Sequence, residues 1–497
     1  MAKKTLYNYQ QNDIEQIIDR LKNKPPGYNL LYQLPTGGGK TVIFSEIVRQ
    51  YLEFSGKKAL ILTHRIELCK QTSDMLSEFD VKNKVIESKV KSLPDEKKFQ
   101  CFVAMVETLN NRLKGEEIEI KNLGLIIIDE AHYNSFRKLF KFFDNCFMIG
   151  VTATPLSSNI KLPMKDVYNE LICGAPIKTL VKGGFLAQAN TFTYNVHLGG
   201  LKMGINGDYT VKSSDLLYSK AIMQNKLLRA YEEKALGKKT LIFNAGIASS
   251  ESVHKLFTDA GYEIRHLDST HNSVLRQETL TWFRTKKNAI LTSVGILTTG
   301  FDEPTVQTII LNRATKSLTL YFQMIGRGSR ILPNKKDFDV IDLGNNSTRF
   351  GLWEEKMDWH YIFNQPDFFI ESIMSDAEIE KHFVYEMPDE LRAHFSKSAE
   401  IDFDVKEEFD KVKGSGMRSA VVIDKSIEQH ANMCVDNSED FDGAIELSVL
   451  LKEDIADRIR RYSYCISKST KNYIEFLKED YTRKLRRAIK IANAERA

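Results

Sequence analysis

The octapeptide LPTGGGKT, residues 34–41, decides how the N-terminal part of this chain is interpreted. It lies between an apolar run at residues 29–32 and an amphipathic pattern over residues 41–54, which predicts a strand, a glycine loop and a helix in succession. Glycines let backbone N–H groups curl around phosphate oxygens, and the start of the following helix adds a positive dipole end. The strict pattern begins with glycine, where this chain has Leu34. The predicted phosphate-binding residues are Thr36, Gly37, Gly38, Gly39, Lys40 and Thr41, with Lys40 reaching the β- and γ-phosphates and the Thr41 hydroxyl available to Mg²⁺.

A pair of carboxylates forms the second informative motif. Asp129 and Glu130 directly follow the aliphatic residues 125–128, and the carboxyl end of a buried parallel strand is where such sheets place their sites. We expect Asp129 to hold Mg²⁺ and Glu130 to polarise an attacking water as general base. A lone Asp-Glu pair is usually a surface loop, and a lone glycine loop can be a turn that caps a helix. The two motifs together in one domain disfavour both alternatives.

Short aliphatic runs separated by helical patterns occur in two series. The first series comprises residues 29–32, 59–63, 102–105, 123–129 and 147–152, and the second comprises residues 241–245, 289–293, 308–311 and 338–342. Such runs are typical of buried parallel strands with crossover helices. Residues 156–236 are weakly patterned, and residues 199–208 are expected to form a loop or hairpin. The predicted fold class is α/β, with two tandem parallel-sheet domains, residues 1–185 and 186–365, and a mainly helical C-terminal region, residues 366–497.

The composition limits the classes of protein to which the chain could belong. Its 497 residues are too many for one core and predict about two to four domains. No apolar run approaches the ~18–20 residues that span a bilayer, so we expect no membrane partner. The N-terminus lacks the apolar segment of a secretory signal. The six cysteines include no Cys-x-x-Cys pair, which argues against a zinc site or disulfide framework and favours a cytoplasmic location.

Charge is distributed unevenly, although the net charge is only +4. Residues 371–450 carry 20 acidic and 8 basic side chains, residues 451–497 carry 13 basic and 7 acidic ones, and residues 1–370 have a net charge of +10. A basic body permits a nucleic-acid partner without requiring one. The acidic stretch is expected to be a solvated helical domain or a docking surface for a protein partner. An amphipathic helix is predicted at the end of the chain, where apolar residues fall four apart, and its basic face over residues 478–490 either binds DNA or is solvated. These apolar residues are Tyr473, Leu477, Tyr481, Leu485 and Ile489.

The glycine loop and the tetrapeptide Asp129-Glu130-Ala131-His132 together resemble those of a superfamily 2 helicase of the DEAH-box kind. The remaining motifs of that superfamily have counterparts in the expected order over residues 5–350. They are Tyr9-Gln10 for the adenine-reading glutamine motif, residues 63–68 for motif Ia, 107–109 for Ib, 152–155 for III, 243–244 for IV, 292–304 for V and 323–330 for VI.

The resemblance implies that ATP and Mg²⁺ bind between two RecA-like domains and that nucleic acid, DNA rather than RNA, runs across both. Hydrolysis needs a cation against the transferring phosphoryl group, and an arginine finger contributes about 10³–10⁵ in rate. The implied residues are Gln10, Gly300 and Asp302 for ATP; Gln323, Arg327 and Arg330 for the γ-phosphate; His132, Thr152 and Thr154 for domain coupling; and His64, Arg65, Thr108, Asn244, Thr292 and Thr298 for nucleic acid.

Two alternatives stay open for the cationic residues. Arg327 and Arg330 are expected in a helix that starts over residues 326–330, and one of them could be a structural ion-pair partner alone. Arg65 could pair with Glu67 rather than contact a phosphate.

The expected function is that of an ATP-dependent nucleic-acid helicase or translocase. The His-Arg-x-Glu-Leu form of motif Ia at residues 64–68 and the Thr-Thr-Gly-Phe-Asp-x-Pro form of motif V at residues 298–304 are similar to RadD and XPB-like DNA helicases. They favour a role in DNA replication, repair or recombination, with 3′-to-5′ polarity implied by resemblance. The chain departs from that group, since it shows neither the C-terminal cysteine cluster of RadD-like proteins nor the N-terminal region of XPB-like ones. The alternatives are a motor subunit of a restriction or defence complex, and an RNA helicase; no nuclease constellation stands out.

Overall fold

Aliphatic strands form two separate parallel sheets within residues 1–376. The computed structural model of the chain describes residues 5–87, 98–115, 118–143, 145–298, 300–381, 387–466 and 471–496. In these residues the strands are β1 (Leu30–Gln33), β2 (Lys58–Thr63), β3 (Asn83–Ile86), β4 (Cys101–Met105), β5 (Leu123–Asp129), β6 (Phe147–Thr152), β7 (Glu170–Cys173), β8 (Gln188–Thr193), β9 (Thr240–Asn244), β10 (Ile264–Leu267), β11 (Ile290–Val294), β12 (Thr308–Asn312) and β13 (Asp337–Asp342). The first sheet has the order β3-β4-β2-β5-β6-β1-β7 and the second β10-β11-β9-β12-β13-β8, with parallel pairing throughout.

Helices connect the strands of both sheets and form the regular structure of residues 377–497. Their bounds are α1 (Asn8–Asn23), α2 (Lys40–Ser55), α3 (Ile66–Glu78), α4 (Val106–Lys114), α5 (Ile177–Lys182), α6 (Val211–Tyr218), α7 (Ala221–Lys234), α8 (Ile247–Asp259), α9 (Ser273–Thr285), α10 (Leu318–Ile325), α11 (Asn346–Phe350), α12 (Trp359–Asn364), α13 (Pro366–Ser372), α14 (Asp376–Glu380), α15 (Asp389–Ala393), α16 (Val405–Gly414), α17 (Val421–Asp436), α18 (Phe441–Leu450), α19 (Lys452–Cys465) and α20 (Lys471–Arg496), with 3₁₀ helices at Asn134–Phe142 and Met164–Asp166. Within the described ranges, no helix combines the length and apolar character needed to cross a bilayer.

Side chains at alternate strand positions fill hydrophobic layers on opposite faces of each sheet. In β5, Leu125 and Ile127 belong to one layer, whereas Ile126 and Ile128 belong to the other. Successive residues of β12 divide in the same way. Because neither set of alternating side chains faces water, a strand of this kind appears in the sequence as a continuous aliphatic run.

The predicted fold class is confirmed, since two parallel α/β sheets are followed by a helical region. Each predicted aliphatic run coincides with a strand to within one residue. The sequence pattern does not reveal β3, β7, β8 and β10, because these strands are short or carry polar residues. Two of them, β7 and β8, lie in the weakly patterned segment 156–236. Within that segment Met203 and Tyr209 form an isolated antiparallel bridge, which agrees with the hairpin expected at residues 199–208.

The chain divides into two units, residues 1–376 (unit 1) and residues 377–497 (unit 2). Unit 2 therefore begins later than residue 366, where the sequence pattern places the start of the helical region. Phe369 and Ile373 pack against the core of the second sheet, which attaches this stretch to unit 1. The division of the chain into three domains at residues 185 and 365 stays a prediction.

Unit 2 has a hydrophobic core of its own, to which the terminal helix α20 contributes. The predicted amphipathic helix is confirmed, because Leu477, Tyr481, Leu485 and Ile489 are buried. Tyr473, the first residue of the predicted apolar stripe, is 40% exposed and therefore lies outside the core of unit 2.

A buried polar network links α20 to α17 and α19. The Tyr481 hydroxyl lies 2.8 Å from Ser426 Oγ and 2.9 Å from His430 Nδ1. His430 Nε2 in turn lies 2.9 Å from an Asp454 carboxylate oxygen, which Arg458 also contacts at 3.1 Å. Burial lowers the pKa of His430 to about 4, so the ring is neutral at physiological pH. These bonds hold α20 in one rotational setting about its axis.

Gly150 of β6 offers a test of how tightly the first sheet is packed. A Cβ atom there would lie 2.8 Å from Ala131 Cβ and closer still to the Tyr168 hydroxyl. We expect Gly150→Ala to lower the free energy of unfolding of unit 1 by about 1–3 kcal/mol, because the methyl group enters filled space. The matched change Gly200→Ala, in open space, should alter it by less than about 0.5 kcal/mol. All three tryptophans lie in unit 1, so urea unfolding followed by tryptophan fluorescence measures this unit; equal midpoints for the two variants would contradict the prediction.

Candidate functional site

The glycine loop connects β1 to α2 as predicted. β1 ends at Gln33 and α2 begins at Lys40. Gly37 and Gly39 have φ angles of 93° and 86°, in the left-handed region that favours glycine. A Cβ at Gly39 would lie 2.7 Å from Gln10 Nε2, and one at Gly37 would lie 2.8 Å from Ser329 Oγ. The loop therefore has no room for side chains at these positions, so an anion can approach its backbone closely. The Gly38 N–H already donates to the Pro35 carbonyl oxygen at 3.0 Å.

Leu34 occupies the position where the strict loop pattern has glycine. Its side chain is fully buried and belongs to one hydrophobic layer of the first sheet. Its Cγ lies 2.8 Å from the place where a Cβ of Gly38 would be. The leucine thus fills the core beneath the loop and leaves the phosphate-facing side open.

Lys40 begins α2, and its ammonium group lies in a desolvated environment. Its Nζ donates a hydrogen bond to the Leu34 carbonyl oxygen at 3.2 Å. Burial lowers the pKa of Lys40, while the negative charges of Glu130 and Asp129 oppose that shift. A charge with little surrounding water interacts strongly with an arriving phosphate, because solvent screens it weakly.

Asp129 and Glu130 lie at the carboxyl end of β5, and each is only 8% exposed. The Glu130 N–H donates to Asp129 Oδ1 at 3.0 Å. Glu130 has a φ of 53°, a conformation that costs a non-glycine residue about 1–3 kcal/mol. Its Oε2 is buried with no hydrogen-bond partner in the described part of the chain, and lies 3.4 Å from His132 Nδ1. A buried acceptor without a partner marks a place for water or substrate.

The surroundings shift the pKa values of the two carboxylates in opposite directions. Burial raises the pKa of Asp129, and the charge of Glu130 raises it further. Burial would also raise the pKa of Glu130, but the interaction with His132 and the charges of Lys40 and Arg327 lower it overall. Glu130 is therefore the carboxylate that stays ionised, as a general base must.

The three residues predicted to couple the domains connect the first sheet to α10. His132 Nδ1 lies 3.0 Å from Thr152 Oγ1, and its Nε2 lies 3.5 Å from Gln323 Nε2 of α10. The Thr154 hydroxyl donates to Thr319 Oγ1 at 2.8 Å. The ends of β5 and β6 thus contact the same helix of the second sheet's domain.

The two arginines predicted to serve the γ-phosphate follow a helix instead of starting one. The helix start expected over residues 326–330 is wrong: α10 ends at Ile325, and Gly326 caps its C-terminus. Ser317 caps the N-terminus of α10 through its side chain. The motif therefore places its hydrophobic residues in the helix and its arginines in the turn that follows.

Arg327 and Arg330 face different parts of the cleft. Arg327 donates to the carbonyl oxygens of Phe301 and Thr298 at 2.6 and 2.7 Å. Burial lowers the pKa of Arg327 to about 10, so the group remains charged at neutral pH. Arg330 Nε donates to an Asp302 carboxylate oxygen at 2.6 Å, and its Nη1 lies 3.2 Å from the place of a Gly37 Cβ. Arg330 thus borders the glycine loop, whereas Arg327 holds the loop after β11.

The loop after β11 also carries the residues predicted to contact ribose or phosphates, Gly300 and Asp302. Gly300 has a φ of 75°, and its carbonyl oxygen accepts a hydrogen bond from Gln71 Nε2 of α3 at 3.3 Å. Asp302 pairs with Arg330. Thr299, which belongs to the same predicted motif, lies outside the described residues.

Three of the residues predicted to contact nucleic acid have buried side chains. Asn244 Nδ2 donates to Thr292 Oγ1 at 2.8 Å, and Asn312 Nδ2 donates to Asn244 Oδ1 at 2.7 Å. The Thr298 hydroxyl donates to the Gly295 carbonyl oxygen at 2.8 Å. The side chains of Asn244, Thr292 and Thr298 therefore tie together the strand ends and the loop of the second sheet, and their contact with nucleic acid stays a prediction.

The predicted contacts on the first sheet's domain are more accessible. Arg65, at the end of β2, donates to the Ile296 carbonyl oxygen at 2.7 Å, and the Glu67 carboxylate accepts from Arg276 at 3.3 Å. His64 Nδ1 lies 3.1 Å from Ser135 Oγ, and burial lowers the pKa of His64 to about 4. Thr108 lies in the first turns of α4 and is partly buried.

An aromatic cavity beside the glycine loop is not evident from the sequence. It has a volume of about 450 Å³, and its lining includes Tyr7, Tyr9 and Phe185. The Tyr7 and Tyr9 rings lie 4.6 and 5.1 Å from the Phe185 ring, and the Tyr9 hydroxyl donates to the Gly38 carbonyl oxygen at 2.9 Å. Gln10 Oε1 accepts from the Tyr7 N–H at 3.0 Å. The tyrosines that precede Gln10 were the available signal, but Phe185 comes from a segment without a clear pattern.

Comparisons with known protein families match both halves of unit 1. Residues 3–157 match the family described as type III restriction enzyme, res subunit, and residues 220–332 match the helicase conserved C-terminal domain. A candidate ATP-dependent helicase of Saccharomyces cerevisiae, IRC3, is 31% identical over 358 residues, which are 68% of this chain and 51% of the yeast protein. The chain thus spans about half the length of that relative.

A phage protein and a solved structure are similar to this chain over about the same share of its length. A 51.5 kDa protein of Lactococcus phage (isolate 7-9) is 29% identical over 337 residues, which are 67% of this chain and 69% of that protein. The fragment structure of a candidate HsdR subunit of a type I restriction enzyme from Vibrio vulnificus YJ016 is 22% identical, with a TM-score of 0.53 over 72% of this chain and 66% of that one. This last similarity concerns the fold alone.

Substitutions of Lys40 and Glu130 should abolish ATP hydrolysis for different reasons. Lys40→Ala removes a phosphate contact, so nucleotide affinity should fall together with turnover. Glu130→Gln keeps the shape of the side chain but removes the base, so it should bind nucleotide and accumulate as a nucleotide-bound state. Binding of a fluorescent ATP analogue and steady-state phosphate release separate the two effects. Wild-type turnover in Glu130→Gln would show that the base is another residue.

Arg330→Ala should lower turnover by about 10³-fold or more, because the arginine borders the glycine loop and would face the charge that develops on the phosphoryl group. Nucleic-acid binding without nucleotide should stay near the wild-type value. Arg229→Ala is a matched control, since Arg229 forms an exposed ion pair with Glu233 at 2.7 Å and such pairs contribute little. Equal loss of nucleotide-free binding in Arg330→Ala would place this residue on the nucleic-acid path instead.

Proposed function

We propose that this chain is an ATP-dependent helicase of superfamily 2 that hydrolyses ATP to move along and remodel DNA; the matches to the two helicase-type families and to IRC3 support this proposal. The observation that carries the proposal is the buried Glu130 Oε2, which has no hydrogen-bond partner among the described residues. It lies at a strand end beside Lys40 and the glycine loop, where a γ-phosphate and its attacking water would meet. A surface loop does not account for a buried, ionised carboxylate oxygen that has the His132 ring as a neighbour at 3.4 Å and no hydrogen bond among the described residues.

The groups around the loop fit a nucleotide with Mg²⁺. Gly37 and Gly39 have no Cβ, which lets phosphates approach the loop backbone closely, and the aromatic cavity beside Gln10 has flat surfaces for a base. Thr41 and Asp129 supply a hydroxyl and a carboxylate, the hard oxygen ligands that Mg²⁺ prefers. When bound, the metal would neutralise charge on the β- and γ-phosphate oxygens.

The proposed motor cycle depends on contacts that both sheets make with one site. Arg330 and Gln323 come from the second sheet's domain, whereas Lys40 and Glu130 come from the first. A nucleotide that both domains bind favours a closed cleft, and loss of the γ-phosphate removes part of that attraction. The Thr154–Thr319 hydrogen bond and the bond from Arg65 to the Ile296 carbonyl would transmit the change towards the nucleic-acid edge.

DNA is the proposed substrate, with 3′-to-5′ movement and a role in replication, repair or recombination. The support is the form of motif Ia at residues 64–68 and of motif V at residues 298–304, which are similar to RadD and XPB-like DNA helicases. Arg65 lies at the end of β2 beside the loop that follows β11, so one side chain contacts both domains along the proposed track. A cytoplasmic location is part of the same proposal.

A motor subunit of a restriction complex is the second candidate. It is favoured by the match of residues 3–157 to the type III restriction res subunit and by the fold similarity to the HsdR fragment. Both candidates share the ATP site and differ in whether a partner supplies DNA recognition and cleavage. An RNA helicase is the third candidate, and the same experiment tests it.

The ATPase rate of the purified full chain, measured in parallel with single-stranded, forked and duplex DNA and with RNA, tests the proposal. We expect stimulation of at least about tenfold by DNA and less by RNA, because DNA-dependent closure completes the site with Arg330. Glu130→Gln controls for contaminating ATPases. Stimulation by RNA alone would contradict the choice of DNA, and no stimulation by any nucleic acid would contradict the motor proposal.

A further inference from the structure

The exposed face of α20 carries a dense group of cations in unit 2. Tyr481, Leu485 and Ile489 bury one side of the helix, and the hydrogen bonds of Tyr481 to Ser426 and His430 hold its rotation. The opposite side is therefore directed to solvent by the packing of the helix. We define this basic face as the exposed residues Arg483, Lys484, Arg486, Arg487 and Lys490.

Acidic neighbours neutralise only part of the basic face. Arg483 and Lys484 pair with Asp480, and Lys484 also pairs with Asp424. Arg486, Arg487 and Lys490 have no ion pair or hydrogen bond to the rest of the described chain. Three exposed cations within five residues are thus left to solvent.

Some other cations of unit 2 are paired, whereas several exposed ones have no ion pair among the described residues, including Lys397, Lys406, Lys413, Arg418 and Lys452. Arg392 contacts Asp402 at 2.8 Å, Lys411 contacts Glu407 at 2.8 Å, and Lys425 contacts Glu408. Acidic side chains are plentiful here, because residues 371–450 carry 20 of them. The basic face is therefore distinguished by the closeness of its three unpaired cations on one side of a single helix.

The spacing of the unpaired cations opposes helix stability. Arg486 and Lys490 are four residues apart, Arg487 and Lys490 three, and like charges at these spacings repel each other on a helix surface. Folding does not require this repulsion, since the buried stripe alone holds the helix. A bound polyanion would relieve it.

We propose that the basic face of α20 binds the phosphate backbone of nucleic acid, without reading base sequence. Guanidinium groups match phosphate oxygens with two parallel hydrogen bonds, and phosphate contacts supply sequence-independent affinity. The inference rests on the proposed function, because it takes nucleic acid as the partner. It adds to the motor a second binding surface on unit 2.

The predominance of cations on this face favours nucleic acid over an acidic protein. Between Thr482 and Lys490, within the described helix, no large apolar side chain is exposed, and a single one, Ile491, follows at 52% exposure. Protein interfaces usually centre on aromatic or aliphatic residues that become fully buried. A surface whose exposed side chains are mainly cationic suits a partner that offers regularly spaced phosphates.

The test is the salt dependence of DNA binding by the full chain, without nucleotide. The triple variant Arg486→Gln, Arg487→Gln and Lys490→Gln should lower the slope of log affinity against log salt by about 2–3, since each lost phosphate contact removes about 0.7–0.9. A control with the same charge change neutralises three paired cations, Arg392→Gln, Lys411→Gln and Lys425→Gln, and should keep the wild-type slope. A third variant, Arg486→Lys with Arg487→Lys, retains the charges and should also keep it. Affinities measured from about 50 to 300 mM salt define each slope.

Each outcome decides between specific explanations. An unchanged slope in the triple variant, with DNA binding retained, overturns this inference and leaves the motor proposal intact; it would assign the face to an acidic protein or to solvent. An equal change in the control overturns it too, because net charge alone would then explain the effect. Absence of DNA binding by the wild-type chain would overturn the proposed function itself.

Thermal unfolding measures the effect of the same substitutions on stability. The triple variant should show no loss of stability, since repulsion between the cations is relieved. A lower melting temperature with an unchanged slope would assign the cations to folding and overturn the inference.

Discussion

Charges buried at the carboxyl ends of β1 and β5 constrain the rest of unit 1. Burying an ionised group is costly unless other charges or hydrogen bonds compensate, so Lys40, Asp129 and Glu130 must lie close together. The glycine loop and the left-handed backbone of Glu130 achieve this proximity. The parallel sheet supplies the common edge at which the loop and the carboxylates meet. Even so, one Glu130 carboxylate oxygen has no hydrogen-bond partner among the described residues. This unsatisfied acceptor makes the site suited to bind and activate water or substrate.

The second sheet's domain also contributes to the surroundings of these buried charges. The site is bordered from that side by Arg330 next to Gly37, and by Gln323 next to His132. Arg327 adds a buried positive charge that helps keep Glu130 ionised. A nucleotide bound here would interact with both domains at once, so its arrival and loss would change how strongly they associate. A site divided in this way provides the coupling that the proposed motor would require, whereas a site contained within one domain has no such coupling.

Particular elements show how far sequence reasoning reaches. The nine aliphatic runs are recognisable because both faces of each central strand are buried, so apolar residues dominate each run. The strands β7 and β8 lie at sheet edges and carry polar residues, so their sequences resemble loops. The sequence pattern of residues 323–330 predicts a helix that starts at Gly326, whereas in the structure α10 ends at Ile325 and Gly326 caps it. Local pattern alone does not distinguish a glycine that precedes a helix from one that ends it.

The sequence by itself determined the fold class, the glycine loop, the paired carboxylates and the amphipathic terminal helix. Each depends on residues adjacent in the chain or at a fixed period, so local chemistry was sufficient to recognise them. Only the tertiary structure decided that Phe185 joins Tyr7 and Tyr9, that Asn244 and Thr292 are buried against each other, and that Arg327 and Arg330 face different loops. It also decided which cations of α20 find acidic partners and which do not. These features depend on side chains far apart in sequence, whose proximity is set by how sheets and helices pack and not by any local pattern.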